Sequence, residues 1–258
     1  MSGTPAKGVC GVYIAASTRC FSDLGFQEAC HQLAELEFDK VEIFMSDEGE
    51  HLRPSDVAAK PEDFINRFRE ITRLTAIAIC LDHDVNETTF TAISKLAKVM
   101  RITQITASAS PLGTPFNSEI DRLRNFIKIT NNNGIRLSLK TKSGQLTEDP
   151  HTAVELCQAV PGLGITLDPS YFMCGPYKDQ NFDHVFPYVY HTHLRDSKPG
   201  ELQMPIGLGD LDYSRLITLL QKQGYQRALS VEILPERLQG ADRNLELRKL
   251  RMLLETLL

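Results

Sequence analysis

The stretch LSLKTKSG, Leu137 to Gly144, begins like a buried strand and closes on two ammonium groups. Side chains alternate along an extended chain, so Leu137 and Leu139 share one face while Ser138, Lys140 and Lys142 share the other. The apolar face has to pack under a neighbouring layer, and the polar face has to point somewhere else. A strand roofed by helices on one side and lining a polar interior on the other meets both demands.

Working outward, the same parity recurs. In GITLDPS, from Gly164, Ile165 and Leu167 oppose Thr166 and Asp168. In YVYHTHLRD, from Tyr188, Tyr190 and Leu194 oppose His191, His193 and Arg195. In RALSVEIL, from Arg227, Leu229, Val231 and Ile233 oppose Ser230 and Glu232. Four earlier runs read as strands too: GVYIAAS from Gly11, KVEIFMS from Lys40, AIAICLD from Ala76 and ITQITAS from Ile102. Between them lie the amphipathic stretches FQEACHQLAELEF, PEDFINRFREITRL, TFTAISKLAKVM, SEIDRLRNFIKITNNNG and DYSRLITLLQKQGY. Asn133-Gly134 and Gly224 fall where helix stops belong. Eight strands alternating with helices, at a period of about 30 residues, predict an α/β chain forming a single (β/α)8 TIM barrel domain over residues 1–258. The rival, a doubly wound open sheet, calls for a glycine-rich phosphate turn after an early strand, and AASTRCFSDLG is not one.

The totals narrow the partners. A net charge of -5 argues against nucleic acid, whose phosphates are bound by a surplus of Lys and Arg. No run approaches the roughly 18 apolar residues of a membrane span. The opening MSGTPAKGVCGVYIAAS reads as a first strand and not as a signal peptide, so the expected location is cytoplasmic. Cys10, Cys20, Cys30, Cys80, Cys157 and Cys174 are scattered without a C-x-x-C pair, which predicts buried reduced thiols. The partner expected is a small sugar-like molecule, and the sequence leaves room for an oligomer.

The inward ionisable groups come late in their strands, at the end of this fold that carries chemistry. Lys140, Asp168, His193 and Glu232, each from a different strand, are therefore expected to converge as the catalytic cluster. Lys142 and Arg195 are candidates for holding an anionic part of a substrate, with solvated rim charges as the alternative. Glu42, inward on the second strand, and His83, closing the third beside Asp82, are candidate lining residues. His191 lies one inward step deeper than His193 and reads as a hydrogen-bonded interior histidine. The loop PIGLGDLD, Pro205 to Asp212, is a candidate phosphate turn or simply a turn.

On these residues the chain resembles the xylose-isomerase-like TIM-barrel superfamily, in its sugar-phosphate isomerase/epimerase branch, with endonuclease IV a more distant relative. The likeness is carried by EFDKVEIF, LDPSYF, HTHLRDSKPG and GLGDLDYSRLITLLQKQGYQRALSVEI. The resemblance implies one divalent ion held by Glu, Asp, His and Glu on the last four strands. Asp168, His193 and Glu232 match, but Lys140 stands in place of the first Glu, and Tyr171 in place of the His of D-x-x-H. An ammonium repels a cation, so no cofactor is expected. The alternative is Mn, Mg, Co or Zn on Asp168, His193 and Glu232.

The resemblance further implies an isomerase or epimerase acting on a small sugar, polyol or sugar phosphate by proton transfer next to a carbonyl. Lys140 would then stabilise the oxyanion, with Glu232 as base and His193 as proton donor. A Schiff base on Lys140 is disfavoured because the neighbouring acids hold it charged. An inactive member binding a sugar acid or a partner protein is the alternative, and a dehydratase or lyase on a carbonyl substrate a further one. A nuclease is excluded by seven dispersed histidines and the acidic balance.

Overall fold

The computed structural model describes residues 11–258, so Cys10 lies outside the described residues. In chain order the strands are β1 (Tyr13–Ser17), β2 (Lys40–Met45), β3 (Thr75–Leu81), β4 (Gln104–Ala107), β5 (Arg136–Lys140), β6 (Leu163–Leu167) and β7 (Val189–Leu194). A small antiparallel hairpin follows, β8 (Asp196–Lys198) with β9 (Glu201–Met204), and then β10 (Ala228–Val231). β1 to β7 and β10 close into a barrel, β1 pairing with both β2 and β10, and every barrel pair is parallel. Around it lie α1 (Phe26–Glu35), α2 (Pro54–Ala59), α3 (Pro61–Ile71), α4 (Glu87–Val99) and α5 (Phe116–Asn131). The ring continues with α6 (Pro150–Ala159), α7 (Pro169–Cys174), α8 (Tyr213–Lys222) and α9 (Arg243–Leu257). The (β/α)8 expectation holds.

The parity of each strand decides where its side chains go. Leu137, Leu139, Ile165, Leu167, Leu194, Leu229 and Val231 are buried with Leu33, Ile93, Leu123, Leu156 and Leu250 of the helices, in the layer between barrel and ring. Each such side chain contributes about 1.5–3 kcal/mol. On the inner face, register sets Thr106 beside Ser138, Lys140 beside Thr166, and Ser230 beside His193. The Thr166 hydroxyl is 2.7 Å from that of Thr106 and 2.5 Å from that of Ser138, a polar layer beneath the charged one. Cys20, Cys30, Cys80 and Cys157 are buried free thiols, as expected, whereas Cys174 is half-buried.

Gly134 and Gly224, at φ +71° and +67°, take the left-handed conformation just past α5 and α8, where their lack of a Cβ avoids strain. Two local differences matter. β5 stops at Lys140, so Lys142 belongs to the loop beyond it. The hairpin and α6 are absent from the sequence reading, although Asp149-Pro150 was a legible helix start: Asp149 Oδ1 accepts from His151 N at 3.0 Å, and Pro150 fills the first helical position.

Candidate active site

The C-terminal ends of β5, β6, β7 and β10 converge on a closed set of charges. Thr141 ties the first two ends together, its hydroxyl donating to Asp168 O at 3.1 Å and accepting from Asp168 N at 2.9 Å. Lys140 Nζ lies 2.9 and 2.7 Å from the two carboxylate oxygens of Glu232 and is 3% exposed. Arg195, one residue past β7, donates Nε to Glu232 O at 2.9 Å, Nη1 to Ser170 Oγ at 3.0 Å, and Nη2 to Glu232 Oε2 at 2.6 Å. The same Nη2 also donates to Asp168 Oδ2. Asp168 Oδ1 caps α7, accepting from Ser170 N at 3.2 Å and Ser170 Oγ at 2.5 Å. Both oxygens of both carboxylates are engaged.

Electrostatics keep this set charged. Burial alone would lower the pKa of Lys140, but the Glu232 carboxylate outweighs it and holds the ammonium above its ordinary value. Arg195 is held above its own in the same way, against burial, by Asp168 and Glu232. Burial would raise Glu232, yet His193, Lys140 and Arg195 hold it well below the usual carboxylate range. A nucleophilic, neutral Lys140 has no place in this balance.

Deeper in the barrel, Glu42 Oε2 lies 2.5 Å from His191 Nε2 and 2.9 Å from His193 Nε2. Burial would raise Glu42, and the two imidazoles hold it low. Burial lowers His191 despite Glu42, and it is the interior hydrogen-bonded histidine that was expected. Among the described residues Glu42 Oε1 and His193 Nδ1 have no hydrogen-bond partner, and the latter stands 3.5 Å from Glu232 Oε2. Among the described residues two triples could offer metal ligands, with one donor atom per residue all within 4.8 Å: Asp168, His193 and Glu232, and Glu42, Cys80 and His193. The second was missed because Cys80 reads from sequence as a core thiol.

Above the buried set lies the open mouth. Lys142 Nζ donates to Asp82 Oδ1 at 3.2 Å, and Arg19 reaches Asp82 Oδ2 at 3.5 Å and Glu236 Oε1 at 3.2 Å. Burial would raise Asp82, but Arg19 and Lys142 hold it below its ordinary value. His83 Nδ1 is 3.3 Å from Ser46 Oγ, and its Nε2 is 3.3 Å from Glu48 Oε1. A cavity of about 440 Å³ opens here, lined by Arg19, Phe44, Ser46, Glu48, Asp82 and Glu236.

Several expectations therefore change. Asp168 is paired with Arg195 and not with Lys140. Arg195 is no rim charge: at 1% exposure it is locked among three strand ends, because its long side chain folds back over Asp168 and Glu232. Glu42 holds two histidines and is fully buried. The loop from Pro205 to Asp212 turns its amides on the protein's own carboxylates. Gly207 N and Gly209 N donate to Asp196 Oδ2 at 2.8 and 3.0 Å, and Ile206 N to Glu246 Oε2 at 2.5 Å. A Cβ on Gly209 would lie 2.2 Å from Asp196 Oδ1, so the loop wraps that carboxylate with no room to spare. Arg19 was missed because it sits on a short turn after β1, where no periodicity marks it; a basic residue just past a strand end was the available signal.

A family model described as xylose isomerase-like TIM barrel matches residues 30–255. No curated protein sequence matches the chain. Among solved structures, a xylose isomerase-like TIM barrel protein from Mycobacterium smegmatis, in complex with magnesium, is 19% identical with a TM-score of 0.74, over 95% of each chain. The probable 3-DHS dehydratase AsbF of Bacillus anthracis is 16% identical with a TM-score of 0.71, over 94% of this chain and 98% of that one. D-allulose 3-epimerase from Methylomonas sp. is 11% identical with a TM-score of 0.69, over 96% and 98%. At such identities the likeness is one of fold.

Proposed function

The chain belongs to the xylose isomerase-like TIM barrel family, and from that premise we propose that it binds a small neutral sugar or polyol at its C-terminal mouth without a divalent ion. The observation that carries this reading is the Lys140 ammonium set against both oxygens of Glu232. A cation on Asp168, His193 and Glu232 would stand within about 4 Å of Lys140 and Arg195, and each unit-charge pair at that distance costs about 4 kcal/mol at an effective dielectric of about 20. A dication doubles the repulsion, and the attraction of Asp168 and Glu232 that would offset it is already taken up by those two cations, so the donor set does not fit one.

The same closure argues against Glu232 as a base. It is fully buried, doubly paired and held well below the usual range, whereas a general base needs access and a pKa near the working pH. The groups that do meet the mouth suit hydroxyls: Asp82, Glu48 and Glu236 accept, Arg19 donates, and the Phe44 ring gives an apolar face. The acidic lining favours a neutral ligand over a sugar acid.

One observation favours a second reading, an isomerase/epimerase-type catalyst working from the mouth. His83 Nδ1 is 3.8 Å from Asp82 Oδ2 and 3.3 Å from Ser46 Oγ, two residues that line the cavity, which sets an imidazole beside the mouth as the candidate proton carrier. Calorimetric titration with a panel of neutral sugars and polyols tests the binding proposal; a panel without a single saturable ligand contradicts it. Exchange of sugar C–H for solvent deuterium, lost in His83→Ala, separates the catalyst from the binder.

A further inference from the structure

The opposite end of the barrel holds a cavity of about 400 Å³, whose lining includes His191, the interior histidine on Glu42. Residues at or next to the starts of several strands ring it, among them Tyr13, Gln104, Arg136, Tyr190 and Arg227. Arg136 opens β5 and is exposed, and among the described residues no hydrogen bond or ion pair engages its guanidinium. Arg227 precedes β10, its guanidinium carbon 5.0 Å from the Tyr190 ring centre and 5.8 Å from that of Tyr225, with Nη1 reaching only Val189 O at 3.4 Å. Among the described residues no Asp or Glu lines this cavity. Burial, and then the Arg136 charge, hold the Arg227 guanidinium below its ordinary value. Gln104 Oε1 is buried without a partner among the described residues, although its Nε2 donates to Ser138 Oγ at 2.6 Å and Ile105 O at 3.1 Å.

Two like charges facing one cavity that no carboxylate lines among the described residues repel each other, and an anion there reverses the sign of the effect. We infer that the N-terminal mouth is a second ligand site, taking the phosphate group of a small molecule between Arg136 and Arg227. A phosphate monoester carries about 1.5 to 2 negative charges near neutral pH, which matches two guanidiniums, and its oxygens accept paired N–H donors from each. The tyrosines flank the space left for the body of the ligand, and a volume of about 400 Å³ lies within the range of small-molecule sites.

The test is calorimetric titration of inorganic phosphate into the whole chain at constant ionic strength, with sodium chloride as the compensating salt. One saturable phosphate per chain is expected, weakened about tenfold in Arg136→Gln and again in Arg227→Gln. The surface variant Arg124→Gln should bind as the unaltered chain does. Without phosphate, Arg136→Gln should melt no lower than the unaltered chain, because a repulsion has been removed. No saturation, equal phosphate binding by the double variant, or a lowered melting temperature in Arg136→Gln would each overturn the assignment.

Discussion

Cationic side chains line both ends of this barrel, under opposite conditions. At the C-terminal end each has a carboxylate in reach: Lys140 with Glu232 at 2.7 Å, Lys142 with Asp82 at 3.2 Å, Arg195 with Asp168 and Glu232. At the N-terminal end Arg136 and Arg227 share a cavity that no acid lines among the described residues. An inward cation is therefore not a ligand site by virtue of its charge. Where the fold supplies the counter-charge, the cation is part of the structure; where it does not, the counter-charge is left to come from solution.

The contrast breaks first at Lys140. Lys140→Met strips a partner from fully buried Glu232 and should cost about 3–5 kcal/mol in urea unfolding, and Lys140→Met/Glu232→Leu should recover most of it. A cost below about 1 kcal/mol would mean that the pair is not structural.

The pH profile sharpens it next. Glu232 and Glu42 are held below their unfolded values, about 4.3, so their contribution is complete above that pH and disappears as pH falls toward the folded values. His191 is lowered as well, so its loss begins below its unfolded value of about 6.5. Lys140 is held above its unfolded value of about 10.4, so its contribution is complete below that pH and is lost as pH rises through the folded value. Urea midpoints should be flat from about pH 7 to pH 8 and fall on both sides. The alkaline fall begins with the Cys20, Cys30, Cys80 and Cys157 thiols, which burial raises above their unfolded value of about 8.5. A slope inside that window would show the cluster titrating there.

The smallest effect belongs to the partly exposed pair at the mouth. Lys142→Ala should change stability by less than about 1 kcal/mol. His83→Ala should leave the melting temperature in place and act on sugar binding or exchange alone.

Much of this arrangement could be read in the chain before any coordinates. Parity alone put Lys140, Asp168, His193, Arg195 and Glu232 on the inner face, because alternation is a local property of each strand. Which acid meets which base was not legible. Lys140 pairs with Glu232 across the barrel, 92 residues away in sequence, and that meeting depends on the stagger of closure and on how far Arg195 folds back over Asp168. Arg195 and Glu42 look from sequence like residues free to touch a substrate; the structure shows the partners that occupy them. The hairpin after β7 was unreadable for a simpler reason, as a three-residue strand such as Asp196–Lys198 carries too little alternation to register.

The central claim, an ammonium standing in the place of an ion, is tested most directly by calorimetric titration of Mn²⁺ into chelator-treated protein and into Lys140→Glu. The account predicts no stoichiometric ion in the unaltered chain and one per chain gained by the variant. A stoichiometric ion in the unaltered chain, abolished by Asp168→Asn or Glu232→Gln, would contradict it.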